Sequence, residues 1–457
     1  MNKLLEVREF EKISCNPEFK TEYAYLPEQV FHDLEEFIHA FPGDEEHADA
    51  LDFLTIGFRR NVGDIISVSN YVGLIQMQNG YQIQVLPKID FGAASDNGNQ
   101  ETKRVFLQML RSMKDFPSKV FNDANLRMDR MTLYEIFINM YLQETRTLVK
   151  HGIKSSYVVR EDNLNFYKGK LVVNDQIKQN ASHGERFFVR YDEYLVDRAE
   201  NRLVKATLLK LQGLTASAEN QKEIRQLLTA FEMVSPSTHY QKDFSLVVID
   251  RNTQDYDLLM RWSRIFLLNK SFTTFSGGHN ARALLFPMEK VFESYVAQQL
   301  KNTLHDLNWD VSSQDKGYYL FDSPRQFALR PDIVVTRDDG SKVILDTKWK
   351  NLVDKPRINY GISQSDMYQM YAYSKKYGTS EIWLLYPINQ EMRGHSDIAF
   401  SSNDGVNVRL FFVDAANIEQ SLSRLRFQLT RSHKDDLTMM CLEYCGPQQS
   451  GYNHQRM

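Results

Sequence analysis

Apolar positions in the first hundred residues follow two different periods. Residues 27–41 repeat at helical spacing, whereas residues 71–78 and 81–86 are strand-like runs on either side of Asn79-Gly80. Because Asn-Gly is a preferred pair for a two-residue type I′ turn, we predict a β-hairpin there. Residues 91–101 (FGAASDNGNQE) are rich in Gly, Ser, Asn and Asp, which is typical of a connection between domains.

The next region is mainly helical, with a β-like interruption. One stripe at helical spacing precedes Gly152, a candidate C-terminal cap, and a second precedes Pro236; the stripes consist of Leu133, Ile136, Phe137, Met140 and Tyr141, and of Ile224, Leu227, Leu228, Phe231 and Val234. Residues 197–211 predict a further helix, which the polar segment 212–221 could turn back as a helical hairpin. Core packing is the usual role of such stripes, and a stalk that contacts a partner is the alternative.

The last part of the chain alternates strands with helices. After a loop at 275–279, helices are predicted near 288–301, 366–377 and 418–427, and strands near Asp332 and Asp346 and over 382–387 and 408–412. This alternation predicts an α/β sheet covered by helices. We therefore expect a multidomain α+β protein with an α+β domain (1–100), a largely helical middle region (101–280), an α/β domain with a mixed sheet flanked by helices (281–445) and a disordered tail (446–457).

Composition supports several domains and excludes some classes of protein. The 457 residues are 42% hydrophobic, enough for more than one core. No secretory or targeting signal and no apolar run of membrane-spanning length is visible, so we expect a cytoplasmic protein without a membrane partner. Cys15, Cys441 and Cys445 are too few and too scattered for a disulfide framework. A net charge of −4 means that any nucleic acid must be bound by a local basic surface or by a partner.

The strongest candidate chemistry lies in the segments RPDIVV (330–335) and VILDTKWK (343–350). A hairpin centred on Asp339 places Asp332 opposite Asp346, and Lys348 follows on the same face, because alternate residues of a strand share a face. Two facing carboxylates destabilise a sheet unless a cation compensates for their charge. Mg²⁺ binds oxygen ligands and supports phosphodiester hydrolysis, so we predict a Mg²⁺ site, which Mn²⁺ could also occupy.

In this interpretation Asp332 and Asp346 bind the metal, the carbonyl of Thr347 adds a further ligand, and Lys348 polarises the attacking water. The alternative is an exposed hairpin with salt-bridged charges, because Asp/Glu-x-Lys triplets arise easily in a chain that is 25% charged. Glu18-Phe19-Lys20 and Glu101-Thr102-Lys103 are such triplets, and neither is paired with a Pro-Asp strand.

Several other residues could support this site. Glu293, or Glu289 one turn earlier, could reach the metal from the preceding helix, although ordinary solvation explains either equally well. Gln369 and Tyr373 lie one helical turn apart and could organise the site, although aromatic core packing also accounts for the tyrosine. A local basic rim could consist of Lys342, Lys350, Lys355 and Arg357, for which a solvated charged face is the default.

No phosphate-binding loop, dinucleotide fingerprint or zinc-protease motif is present, so we expect the chain itself to bind no nucleotide. If nucleotide energy is used, another protein must hydrolyse the nucleotide.

Taken together, these segments resemble McrC, the PD-(D/E)xK nuclease subunit of McrBC-type 5-methylcytosine restriction systems. The resemblance covers roughly residues 103–430, and the segments that carry it in the family's order are YKGKL (167–171), DRAENRLVK (197–205), FE (292–293), RPDIVV, ILDTKWK, SDMYQ (365–369) and LLYP (384–387). The region around residues 71–88 looks like an N-terminal extension found in longer members.

The resemblance implies a partner and a role for each part of the chain. The partner is an McrB-like AAA+ GTPase or ATPase hexamer that receives a stalk from the helical middle region and recognises double-stranded DNA, often methylated. The implied catalytic residues are Asp332, Asp346 and Lys348, with Glu293 less specific because some members lack a carboxylate there. The predicted function is thus a Mg²⁺-dependent endonuclease subunit. A stand-alone repair or recombination nuclease and a non-catalytic assembly protein are the alternatives.

Overall fold

The computed structural model describes residues 3–39, 53–77, 79–89, 91, 98–113, 116, 131–268, 281–395 and 398–444. These residues form two compact units. Unit 1 comprises Met1–Pro87, Asn99–Leu107 and Lys114–Pro287, and unit 2 comprises Lys88–Gly98, Gln108–Met113 and Met288–Met457, each over its described residues. No helix in the described part of the chain combines the length and hydrophobicity that a membrane span requires.

The helices and strands up to residue 287 are β1 Leu4–Arg8, β2 Lys12–Ser14, β3 Ala24–Tyr25, α1 Glu28–His39, β4 Leu54–Arg59, β5 Gly63–Val68, β6 Tyr71–Met77, β7 Gln82–Leu86, α2 Gly98–Leu110, α3 Leu133–His151, β8 Ser156–Leu164, β9 Lys170–Leu171, α4 Val173–Asn180, β10 Phe187–Leu195, α5 Ala199–Gln212, α6 Ala218–Ala230, α7 Tyr240–Leu246, α8 Asp257–Leu268 and β11 Ala281–Pro287. All belong to unit 1 except the two ends of α2, of which only Asn99–Leu107 lies in unit 1. Short 3-10 helices occur at Pro17–Phe19 and Gln254–Tyr256.

Three sheets organise unit 1. Their strand orders are β1-β7-β6-β11, β3-β2-β5-β4 and β8-β10-β9. In the first sheet β11 lies antiparallel to β6, and Gly73 pairs with Leu285 so closely that a Cβ atom would lie 2.1 Å from the Leu284 carbonyl oxygen. Only glycine is compatible with that approach and with the φ of +144° at this position.

The helical predictions in the middle region are confirmed. Helix α3 ends at Gly152, whose φ is +88° and whose N–H donates to the Val149 carbonyl, and α6 ends before Pro236. Helices α5 and α6 form the predicted hairpin. The predicted apolar stripes of α3 and α6 are buried, apart from the partly buried Leu228, in a core that includes Phe137, Trp262 and Phe286. Core packing is therefore the observed role of these stripes.

The turn of the N-terminal hairpin differs from the predicted turn. The hairpin of β6 and β7 is present, but its turn is not the two-residue type I′ turn. Gln76 pairs with Gln82, the Met77 N–H donates to the Tyr81 carbonyl, and the Gly80 N–H donates to the Met77 carbonyl, with a φ of +79° at Gly80. This is the pattern of a three-residue loop that ends in a left-handed glycine.

The domain limits also differ from the predicted ones. The predicted domains 1–100 and 101–280 belong to one unit, because β11 returns from residue 281 to pair with β6 and so joins the two ends of unit 1 in one sheet. For the same reason the second unit begins at Met288 rather than at residue 281. The loop at 275–279 and the tail 446–457 lie outside the described residues.

The elements of unit 2 are α9 Met288–Thr303, β12 Asp310–Ser313, β13 Tyr319–Asp322, β14 Arg325–Ala328, β15 Ile333–Thr336, β16 Lys342–Thr347, a 3-10 segment at Pro356–Gly361, α10 Gln364–Tyr377, β17 Glu381–Pro387, β18 Ala399–Ser401, β19 Asn407–Val413 and α11 Ile418–Tyr444.

A six-stranded mixed sheet forms the centre of unit 2. Its order is β12-β15-β16-β17-β19-β18, with β16, β17 and β19 parallel to one another. All residues of β17 are buried, as expected for a central strand that is covered on both faces. One face packs against α10, since Val334, Ile344 and Leu384 share a core with Met370 and Tyr373. The predicted mixed sheet flanked by helices is therefore observed.

Candidate functional site

The strand register places the two candidate aspartates as the sequence predicts. Strands β15 and β16 pair Ile333 with Leu345 and Thr336 with Lys342, which is the register of a hairpin centred on Asp339. Asp332 directly precedes β15, and Asp346 lies next to the end of β16. Because side chains alternate, both aspartates lie on the face of Val334 and Ile344, which is the face that α10 covers.

Asp332 is held by the end of strand β16. Its Oδ2 atom accepts hydrogen bonds from the Thr347 amide, at 2.7 Å, and from the Thr347 hydroxyl, at 2.6 Å. Burial raises the pKa of Asp332, while the bonds from Thr347 and the charge of Lys348 oppose that shift. The structure thus shows Thr347 orienting Asp332 through its N–H and hydroxyl, a role that was not predicted for it.

Asp346 is 1% exposed and lies against Lys348. The distance from Lys348 Nζ to Asp346 Oδ2 is 2.6 Å. This contact is an ion pair rather than a well-directed hydrogen bond, because no described residue offers this oxygen a partner of suitable hydrogen-bond geometry. Burial and the negative charge of Asp332 raise the pKa of Asp346 to about 7, despite the favourable charge of Lys348. The site therefore contains two carboxylates in an environment that disfavours their combined charge.

Lys348 connects the aspartates to helix α10. Burial alone would lower its pKa, but the charges of Asp346 and Asp332 outweigh burial and raise the pKa, so the amine is a cation at neutral pH. Its Nζ also lies 3.5 Å from Gln369 Oε1, and the Gln369 amide donates to the Tyr373 hydroxyl at 2.7 Å. The predicted pair on α10 is thus placed beside the lysine, and Tyr373 additionally packs in the core.

Of the two acids proposed on helix α9, Glu293 is the one near the site. Burial and the charge of Asp332 raise its pKa, and Gln314 donates to its Oε1 atom at 3.0 Å. Glu289 is exposed one turn earlier. Gln314 also donates its backbone N–H to the Asp332 carbonyl at 2.8 Å, so it links the helix acid to the strand acid.

The four residues of the predicted basic rim do not all lie together. Lys350 donates to the Gly361 carbonyl at 2.7 Å, and Lys355 and Arg357 are exposed in the segment that follows. Lys342, by contrast, starts β16 and bonds to the Tyr318 hydroxyl, roughly 20 Å along the strand from Lys348 at about 3.3 Å per residue. It therefore does not belong to the same rim.

Asp366 was missed as a member of this site. Its charge helps to raise the pKa of Asp346 and of Lys348, so it lies near both. Asp366 lies in the first turn of α10, where its N–H donates a hydrogen bond to the hydroxyl of Ser363, the N-terminal cap of the helix. Its position one turn before Gln369 was the available signal, since residues three apart on a helix lie on one face.

The fold and site together define a class: a two-unit α+β protein whose second unit presents a buried aspartate (Asp346), a partly buried aspartate (Asp332), a lysine and a glutamine on one face of a mixed sheet. The family model for the McrBC 5-methylcytosine restriction system component matches residues 66–387. The chain belongs to this family, which confirms the resemblance seen in the sequence.

Two solved structures from Thermococcus gammatolerans show similarity to this chain, and the first of them supports the fold. A chain of the half-complex from a tetradecameric assembly of McrB AAA+ hexamers with bound McrC is 19% identical, with a TM-score of 0.66 over 93% of this chain and 100% of that chain. A chain of the cryo-EM structure of the McrBC complex is 20% identical, with a TM-score of 0.46 over 66% of this chain and 88% of that chain. No curated protein matches the chain.

Proposed function

We propose that this chain is a Mg²⁺-dependent DNA endonuclease subunit of the PD-(D/E)xK type, acting in an NTP-dependent, McrBC-like restriction complex. The observation that carries the proposal is the convergence of Asp332, Asp346 and Lys348 on one sheet face, with both carboxylates at raised pKa. Such an arrangement is costly for folding, and a metal-dependent site explains why the chain contains it.

The donor set fits Mg²⁺. Mg²⁺ is usually held by one or two carboxylates, keeps several waters and binds substrate phosphate oxygens. Asp332 and Asp346 supply the carboxylates, and the Thr347 carbonyl remains a proposed additional ligand. Within the described residues there is no group of three or more His, Cys, Asp or Glu side chains placed to hold a metal, which disfavours a closed zinc-type site. When bound, Mg²⁺ supplies charge neutralisation at the phosphate and lowers the pKa of a coordinated water.

The remaining residues of the site position groups around the scissile phosphate. Lys348 is a cation held by Asp346, and displacement of that ion pair by a metal would free the ammonium group for the phosphate or the attacking water. Gln369 and Tyr373 restrict the directions that the lysine can adopt, because their hydrogen bonds form a chain that ends at Lys348. Glu293, whose pKa is raised by burial and by the charge of Asp332, is a further candidate acid near Asp332.

The proposed partner is an McrB-like AAA+ GTPase or ATPase hexamer, and we place the contact with it in the segment Ser156–Leu195. The predicted apolar stripes of α3 and α6 pack in the core, whereas the ribbon of β8 and β10 leaves large apolar side chains in solvent. Tyr157 is 75% exposed, Tyr194 is 63% exposed, and their rings pack against each other at 5.1 Å. Exposed apolar groups of this kind mark protein–protein contact sites.

The test of the proposed function is cleavage of methylated and unmethylated plasmid by the purified chain, with and without the AAA+ protein encoded next to it. We expect cleavage that needs Mg²⁺, the partner and a nucleotide, and that EDTA abolishes. Cleavage with Mg²⁺ alone would instead indicate a stand-alone nuclease. No cleavage under any condition, together with no calorimetric Mg²⁺ binding that Asp346→Ala removes, would indicate a non-catalytic assembly protein.

The partner contact has a separate test. Replacing Tyr157 and Tyr194 together by Ser should reduce stimulation of the partner's NTPase activity at least tenfold. The matched control is Phe58→Ser, which removes an aromatic side chain that is 75% exposed elsewhere in unit 1. Equal stimulation by the ribbon variant and the control would move the contact away from this segment.

A further inference from the structure

Strands β13 and β14 form a two-stranded hairpin that is separate from the central sheet of unit 2. Every residue of β14 is exposed, and so is most of β13. Phe321 is 57% exposed and Phe327 is 67% exposed, and their rings pack edge to face at 5.8 Å. The hairpin thus presents a pair of aromatic rings to solvent instead of burying them in a core, where their burial would stabilise the fold.

The backbone of Phe327 is held in an unusual conformation. Its φ is +59°, in the left-handed region that bulky residues rarely occupy. Strain of this kind is retained mainly where function requires it. The strand register pairs Phe321 with Gln326 and not with Phe327. The unusual backbone conformation of Phe327 nevertheless accompanies a contact between its ring and the ring of Phe321.

The base of this hairpin is attached to the candidate catalytic site. On one side the Gln314 N–H donates to the Asp332 carbonyl, and on the other the Leu329 N–H donates to the Tyr318 carbonyl. Strand β14 then leads through Arg330 directly to Asp332. Because a strand advances about 3.3 Å per residue, Arg325, the first residue of β14, lies within about 23 Å of Asp332, a length of about seven base pairs.

The charges of the hairpin favour a polyanionic ligand. Lys316, Arg325 and Arg330 are exposed cations on or beside it. Of the two acids nearby, Asp322 is paired with Lys376 at 2.7 Å, and Asp315 accepts the Gly317 N–H. Cations therefore outnumber uncompensated acids around the aromatic pair, as is typical of surfaces that contact phosphates.

We propose that the hairpin of β13 and β14 binds duplex DNA next to the cleavage site and inserts the Phe321–Phe327 pair between base pairs. The inference rests on the proposed nuclease function, because the hairpin would bind the DNA that the site of Asp332 and Asp346 cleaves. Apolar wedges flanked by cations are a known way for proteins to unstack a base step and bend the duplex. A bend at this position would expose one phosphate to Asp332 and Asp346.

The experiment measures binding of the full-length chain to a 30-base-pair duplex that contains 2-aminopurine, whose fluorescence rises when it is unstacked. All arms carry Lys348→Ala, so that the duplex is bound in Mg²⁺ without being cut. One arm adds Phe321→Ala and Phe327→Ala, and another adds Phe427→Ala, which removes a phenylalanine that is 66% exposed on α11 of the same unit. A third arm, Phe321→Trp, keeps an aromatic ring in the hairpin.

We expect the double alanine variant to raise the Kd at least about fivefold and to remove the fluorescence increase, because base–aromatic stacking contributes on the order of 1–3 kcal/mol per base. The Phe427→Ala and Phe321→Trp arms should match the parent. The proposal is overturned by equal binding in all arms, by a parent that unstacks no base, or by a parent that binds no duplex. Cutting of the duplex by the parent would instead contradict the role of Lys348, and so the two failures are distinguishable.

Discussion

Asp346→Asn should stabilise unit 2 in the absence of metal, although the change removes a proposed metal ligand. Asp346 is 1% exposed, and its pKa of about 7 lies above the ordinary value of 3.8. The folded state therefore binds more protons than the unfolded state between these two pH values. Stability of the metal-free protein consequently falls as the pH rises through this window, and a neutral carboxamide removes that loss.

The size of the effect follows from the same shift. A difference of about three pH units corresponds to about 4 kcal/mol at 1.36 kcal/mol per unit. Part of this gain is lost in the variant, because Lys348 loses the carboxylate that lies 2.6 Å from its Nζ atom. We therefore expect a net stabilisation of about 1–3 kcal/mol at pH 8, or roughly 2–4 °C in Tm per kcal/mol for a unit of this size.

Thermal unfolding followed by tryptophan fluorescence in EDTA measures this difference. Three of the four tryptophans, Trp309, Trp349 and Trp383, belong to unit 2, so the signal reports mainly on that unit. At pH 8 the variant should melt above the wild type, and the gap should close towards pH 4. Adding Mg²⁺ should raise the Tm of the wild type but not that of the variant.

The control is Asp310→Asn, which neutralises an exposed carboxylate on β12 and should leave the pH dependence unchanged. The reasoning is refuted if Asp346→Asn melts below the wild type at pH 8 without metal, or if both proteins lose stability equally as the pH rises. Either result would mean that burial and Asp332 do not destabilise the Asp346 charge.

Two further predictions concern positioning and packing. Gln369→Leu should lower DNA cleavage about tenfold and leave stimulation of the partner NTPase unchanged, because it removes an oxygen near Lys348 without emptying the site; unchanged single-turnover cleavage would exclude a positioning role. Glu135→Ala should lower the free energy of unfolding of unit 1 by about 2–4 kcal/mol, because the buried carboxylate accepts bonds from Thr215, Ala216 and Asn220. A chemical denaturation midpoint equal to that of the wild type would show that this network contributes nothing.

The core of the candidate site could be predicted because its residues are close in sequence. A short hairpin determines which positions face each other, and the alternation of side chains then places Asp346 and Lys348 on one face. Gln314 and Asp366 join the site through contacts between separate elements, which local periodicity does not encode. The same limit explains why the return of β11 to β6 was not predicted.

Other family-like segments turn out to have structural contacts of their own. In DRAENRLVK, Asn201 donates to the carbonyls of Lys154 and Val196, and Arg202 pairs with Asp243 at 2.8 Å. In YKGKL, Gly169 has a φ of +73°, and a Cβ atom there would lie 2.4 Å from the Arg190 carbonyl oxygen. Asn201 thus holds the base of the ribbon of β8 and β10, and Gly169 permits a close approach to β10, whereas Arg202 joins α5 to α7. Part of the family-like pattern therefore supports the ribbon.

The central claim is that Lys348, next to Asp332 and Asp346, performs metal-dependent DNA cleavage. Its most direct test compares Lys348→Ala with Lys350→Ala, a lysine two positions away that bonds to the Gly361 carbonyl. Both variants are assayed for plasmid cleavage with Mg²⁺, nucleotide and the partner, and for stimulation of the partner NTPase. We predict that Lys348→Ala abolishes cleavage but still stimulates the partner, whereas Lys350→Ala retains both activities. Full cleavage by a folded Lys348→Ala protein would contradict the assignment of the site.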